Sequence, residues 1–227
     1  VKQLVLNFPL APGYAEADFC AAPSNALARQ WLAQPAGWSN GRLVLWGAEG
    51  CGKTHLLHIW AAARNALILD VARIGQTRPH LAQPLAIDDV DIIADAPALL
   101  HLLNDAAAAG QPVLMTARQP PARQNFDLAD LGSRLRASLA VEIRAPEDEL
   151  LDMLLARLTA ERQLALPESV RRFMLTRLPR TAAALREAVA RLDRAALQAG
   201  GKINRGLAET VLAELLDERE VEADTAG

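Results

Sequence analysis

"GAEGCGKT" at residues 47–54 decides how the rest of this chain is read. It fits G-x-x-x-x-G-K-[ST], and the flanking sequence supplies the context that pattern needs. "RLVLW" (42–46) reads as a buried strand in front of it, and "KTHLLHIWAAA" reads as a helix behind it. Glycines are required because the loop must turn its backbone N–H groups inward around phosphate oxygens, where side chains would block the approach. Lys53 is expected to reach the β- and γ-phosphates and Thr54 to hold Mg²⁺, with the helix N-terminus aimed at the anion. The nucleotide-binding set read from this stretch is Gly47, Gly50, Cys51, Gly52, Lys53, Thr54 and His55, for ADP or ATP.

Working outward, four more apolar runs have the length of buried strands: "ALILDV" (66–71), "PLAID" (84–88), "PVLMT" (112–116) and "LAVEI" (139–143). Stretches of helical periodicity separate most of them, which predicts right-handed crossovers and a five-stranded, mainly parallel sheet. The alternation stops at Pro146. Beyond it come four helix-like segments, roughly 147–162, 168–178, 181–199 and 204–217, and no strand. Pro146 followed by "EDE" starts a helix well, because acidic side chains face the positive end of its macrodipole. The expected layout is an extended segment (1–17), an α/β domain (18–145), a small all-helical domain (146–217) and a frayed acidic tail (218–227).

The chain has 227 residues, 51% hydrophobic and 22% charged, which suits packed cores and argues against wholesale disorder. A net charge of −3 gives no global pull towards nucleic acid. No run of 18 apolar residues offers a membrane span, and the N-terminus is a poor match to a secretory signal. Cys20 and Cys51 form neither a disulfide framework nor a metal spacing, and they read as free thiols in a reducing cytoplasm. His55 and His58 lack a third ligand and read as packing groups. Trp31, Trp38, Trp46 and Trp60 lack interleaved basic neighbours and read as core residues.

A P-loop needs a second acidic element, and "LAIDD" (85–89) supplies an apolar strand ending in two carboxylates. Asp88 takes the metal side, together with Thr54. Asp89 stands where a water-polarising base belongs, while Asp91 and Asp95 read as surface groups. Hydrolysis also needs positive charge on the γ-phosphate, commonly from an arginine donated in trans. Arg134 in "LGSRLRA" is the candidate, expected in a segment bordering the C-terminal edge of the sheet.

"SNALAR" (24–29), "GCGKTHLLHIWA" (50–61), "LLNDAAAAGQPVLMTARQPP" (102–121) and "LADLGSRL" (128–135) occur in the order found in initiator-related AAA+ ATPases. The chain resembles the Hda family, DnaA-related AAA+ regulators of replication initiation, from about residue 18 to 216. That resemblance implies an AAA+ P-loop domain followed by a helical lid. It also implies that Arg134 and Asp89 serve catalysis, Arg134 as a finger aimed at the nucleotide of the initiator. Two departures stand out. Ala117 replaces an aspartate common after the fourth strand, with Thr116 as a possible substitute, and Ala183 aligns with the lid arginine, with Arg180 and Arg186 nearby. Their loss predicts slow or absent intrinsic turnover. The lid arginines Arg171, Arg172, Arg177 and Arg180 read as solvated. The interval from Lys53 to Asp88 leaves little room for a helical insert of the initiators, and nothing basic or long enough follows residue 217 to serve as their DNA-reading domain.

The opening "VKQLVLNFPL" alternates apolar side chains at Leu4, Leu6 and Phe8 behind Gln3. By the same resemblance it is a clamp-binding peptide, with Gln3, Leu4, Leu6 and Phe8 seated on the sliding clamp (the β subunit of DNA polymerase III). The expected function is negative regulation of initiation: tethered to DNA-loaded clamp, the protein promotes ATP hydrolysis by DnaA. Contact with DNA would then be mostly indirect, membrane contact absent and self-association possible. Two other readings stay open. One is an autonomous AAA+ ATPase that loads a helicase or transposase, and the other is a clamp-binding scaffold folded around a held nucleotide.

Overall fold

The computed structural model describes residues 14–75, 82–198 and 202–225; Gln3, Leu4, Leu6 and Phe8 lie outside the described residues. Five strands, β1 (Arg42–Trp46), β2 (Leu67–Leu69), β3 (Leu85–Ile87), β4 (Val113–Ala117) and β5 (Leu139–Glu142), form one sheet. The order is β2-β3-β4-β1-β5, with every pairing parallel. Around the sheet lie α1 (Ala26–Ala33), α2 (Lys53–Arg64), α3 (Ala96–Ala108) and α4 (Ala129–Arg136). The chain then turns wholly helical with α5 (Asp148–Glu161), α6 (Glu168–Arg177), α7 (Ala182–Gln198) and α8 (Arg205–Thr225).

Strand side chains alternate between the two faces, so each strand feeds two cores. Leu43, Leu45, Ala86 and Leu114 pack with Leu57 and Trp60 of α2, and with Ala28 and Leu32 of α1. Val44, Leu85, Ile87, Val113 and Met115 pack with Leu99 and Leu103 of α3, and with Leu131 and Leu135 of α4. Helices on both faces bury the sheet, which is why its strands are near-continuous apolar runs. A third core is built from residues 151–215 alone, including Leu155, Met174, Val189 and Leu212. Among the described residues no helix is long and apolar enough to cross a membrane.

Two boundaries differ from the sequence reading. β2 is shorter than 66–71, because the Asp70 carboxylate accepts the Ala72 N–H (2.9 Å) and turns the chain into a 3₁₀ turn at Val71–Arg73. α8 continues to Thr225, so 218–225 is helical rather than frayed. Leu215 is buried in the third core, and Arg191 of α7 reaches Glu218 at 2.5 Å, holding that turn down.

Candidate nucleotide-binding site

β1 ends at Trp46, and Gly47–Gly52 turn the chain over the C-terminal edge of the sheet into α2. Gly47 (φ +152°) and Gly50 (φ +73°) have no alternative residue type. A Cβ at Gly47 would lie 2.3 Å from the Ile143 carbonyl oxygen, and one at Gly50 would lie 2.6 Å from Thr181 Cβ. The loop is therefore pressed between the exit of β5 and the residue just before α7. The Lys53 ammonium, only 7% exposed, donates to the carbonyls of Gly47 (2.8 Å) and Ala48 (2.9 Å), which bridges the loop from within.

The acidic element lies beside it. Thr54 Oγ1 donates to Asp88 Oδ2 at 2.9 Å, and Thr116 Oγ1 donates to Asp88 Oδ1 at 2.5 Å. Thr116, fully buried on β4, in turn accepts the Asp89 N–H at 2.8 Å. One hydroxyl thus fixes the orientation of Asp88 and the backbone of Asp89, which sits in the left-handed region at φ +50°. Hydroxyl and carboxylate oxygens are hard donors that suit Mg²⁺. The described residues hold no group of three or more His, Cys, Asp or Glu able to retain a metal alone, which matches an ion completed by phosphate and water. Asp91 and Asp95 have structural partners: Asp91 Oδ2 accepts the Arg118 N–H (2.7 Å), and Asp95 Oδ1 caps α3 through the Ala98 N–H (2.9 Å).

Burial first, then the charges of Asp88 and Asp91, push the Asp89 carboxyl above its ordinary range. An acid whose folded-state pKa is raised costs stability while ionised, and the cost vanishes once pH falls below its unfolded value. Asp89→Asn is therefore expected to raise the thermal midpoint at neutral pH. The gain over wild type should shrink as pH is lowered through the acid range in a series of melts.

Arg134 is not at this edge. It lies in the last turn of α4, its carbonyl accepts Ser138 Oγ (3.0 Å) just before β5, and its charge acts on Arg42, the first residue of β1. All of these belong to the N-terminal edge of the sheet. α4 runs against the strands, so its final turn is carried to the end opposite the P-loop, which corrects the expected placement. The Arg134 side chain is exposed, and it has no hydrogen bond or ion pair among the described residues.

Against known folds, the chain superposes on domain III of the Thermotoga maritima replication initiation protein DnaA with a TM-score of 0.75 at 20% identity, covering 91% of this chain and 98% of that one. AMPPCP-bound DnaA from Aquifex aeolicus gives 0.64 at 16% identity over 81% and 66% of the two chains. The Thermotoga maritima RuvB Holliday junction branch migration motor gives 0.63 at 17% identity over 86% and 70%. Residues 147–212 match the family model of the Hda lid domain. The chain is an Hda-like, DnaA-related AAA+ protein.

In this Hda-like chain α5–α8 are the lid, and its arginines are mostly latched to acids rather than simply solvated. Arg171 pairs with Asp152, Arg172 with Glu168 (3.0 Å), and Arg177 lies over the Phe173 ring. Arg180 bonds Asp148 (2.5 Å) and the Pro146 carbonyl (2.8 Å), so it holds the start of α5 and does not face the P-loop. Arg186 is the lid arginine whose charge reaches α2, where it acts on His55.

His55 and His58 of the Hda-like protein do pack. Tyr14 stacks on His58 (4.1 Å, 6°), Phe19 meets His55 edge-on (5.2 Å), and His55 Nε2 contacts the Ala15 carbonyl (3.1 Å). Arg157 of α5 ties the same strap through Asp18 and the Ala17 carbonyl. Residues 14–19 therefore touch both α2 and the lid, a connection that periodicity alone did not reveal. Cys51 is free and half-buried, and burial pushes its thiol up, away from the reactive thiolate. Trp38 and Trp60 pack at 5.3 Å in the core.

Proposed function

We propose that this protein binds ADP or ATP with Mg²⁺ at the P-loop and acts as a clamp-tethered negative regulator of replication initiation. In this reading Arg134 completes the ATP site of a DnaA-type initiator in trans. The observation that carries it is the position of Arg134: exposed, unpaired, and at the sheet end opposite its own phosphate loop. Four residue steps of β1 span about 13 Å, so this arginine has no route to its own phosphates, whereas a head-to-tail neighbour would receive it. The AMPPCP-bound relative supports nucleotide binding on this fold.

Around the nucleotide, the loop N–H groups and Lys53 would bind phosphate oxygens. Thr54 and Asp88 would hold Mg²⁺, which neutralises phosphate charge when bound. Asp89 would orient water. Ala183 contributes no cation from the lid, so turnover at this site should be slow. Turnover at the initiator's site gains from the guanidinium of Arg134, which spreads positive charge over the γ-phosphate as it leaves.

The Thr54–Asp88–Asp89 arrangement also supports an autonomous ATPase. That reading requires steady ATP turnover by the isolated protein, abolished by Asp89→Ala; under the regulatory reading the isolated protein is nearly inert. Location is tested at the N-terminus. Gln3→Ala with Leu4→Ala should remove binding to the sliding clamp in a pull-down or surface-capture assay, because short peptides bind through a few anchors. ADP affinity should stay at the wild-type value, and retained clamp binding would contradict the tether.

A further inference from the structure

At the N-terminal end of the sheet two cations stand together with no acid between them. Arg42 is 4% exposed, its Nε is enclosed without a hydrogen-bond partner, and it forms no ion pair among the described residues. Its neighbour Arg134 is equally unpaired but exposed. Elsewhere the chain latches arginines onto carboxylates, as in Arg157–Asp18, Arg171–Asp152 and Arg191–Glu218. Burial first, and then the charge of Arg134, push the Arg42 guanidinium below its ordinary range. It nevertheless stays charged, since an arginine does not shed its proton near neutral pH.

The consequence is asymmetric. Arg42 is fixed by its packing in β1, so the repulsion acts on Arg134, which is free to move. Arg134 is held away from the sheet edge and finds no carboxylate there to fold onto. Two unscreened guanidinium groups also make this edge a place where an oxyanion is favoured, because an anion would relieve both.

We propose that Arg42 is a positioning residue for Arg134: its buried charge keeps Arg134 extended and unpaired, and the pair forms an anion site completed by a phosphate of a nucleotide held on a partner protein. This rests on the trans reading of Arg134. A residue kept only for packing would stabilise the fold, whereas an uncompensated buried charge costs stability and is expected where a site needs it.

The test uses the full chain with DNA-loaded clamp and a DnaA-type initiator, measuring stimulated ATP hydrolysis and the thermal midpoint of each variant. Arg42→Met, of similar length and uncharged, should lower stimulation about tenfold, the effect of one lost close charge, while raising the midpoint. Arg42→Lys should keep stimulation within about threefold of wild type, because the charge is retained. Wild-type stimulation by Arg42→Met would overturn the proposal, as would equal impairment of both variants with lowered midpoints. Arg134→Ala separates the two levels of the argument. If it stimulates fully, the trans reading fails; if it is inert while Arg42→Met is unimpaired, only the role of Arg42 fails.

Discussion

Lys53→Ala should lose ADP and ATP binding by about a hundredfold or more, the weight of a charge-assisted contact to phosphate inside a buried loop. The argument does not rest on the motif alone. Lys53 is held at 7% exposure between the Gly47 and Ala48 carbonyls, so its ammonium already occupies the centre of the loop. Alanine removes that bridge as well as the phosphate contact, leaving the loop carbonyls without their donor. The check is calorimetric titration with ADP, paired with thermal melts. Ligand at about a hundred times its dissociation constant should stabilise the wild type by about 2.7 kcal/mol, and the variant should show no comparable shift. A variant that still shifts with ADP would mean that the loop holds nucleotide through its backbone alone.

Arg134→Ala should reduce stimulated hydrolysis by the initiator by about a thousandfold, at the lower end of what a finger arginine contributes to phosphoryl transfer. The same substitution should leave stability within about 0.5 kcal/mol of wild type, since the side chain is exposed and unpaired. Affinity for ADP should also be unchanged, because Arg134 and the P-loop occupy opposite edges of the sheet. Arg134→Lys should rescue only part of the activity: a point charge does not reproduce the forked, two-pronged contact of a guanidinium with phosphate. Loss of stimulation together with a lowered midpoint would instead indicate damage to α4.

The P-loop was legible because its information is local. Glycine spacing, a preceding apolar run and a following helix are contiguous, and the backbone angles at Gly47 and Gly50 show why glycine is needed there. The strands were legible for the same reason, within a residue or two at their ends. Arg134 was placed at the wrong edge because edge position depends on the direction of α4, which neighbouring residues do not encode. Arg42 resembled any charged residue opening a strand, and only the packing shows that its charge is buried without compensation. The lid arginines looked solvated because their acids lie far away in sequence, as with Arg171 and Asp152 or Arg180 and Asp148. Thr116 had been considered as a hydrogen-bonding substitute, and its bonds to Asp88 and Asp89 now give that idea a geometry.

The central claim is that the hydrolysed ATP belongs to the partner and not to this chain. A single-turnover experiment addresses it directly, with labelled ATP bound to a DnaA-type initiator, unlabelled ADP on this protein, and clamp loaded on DNA. Rapid conversion of the labelled ATP with wild-type protein, and none above the initiator's own rate with Arg134→Ala, is the predicted result. Equal conversion by wild type and Arg134→Ala, or none by either, would contradict it.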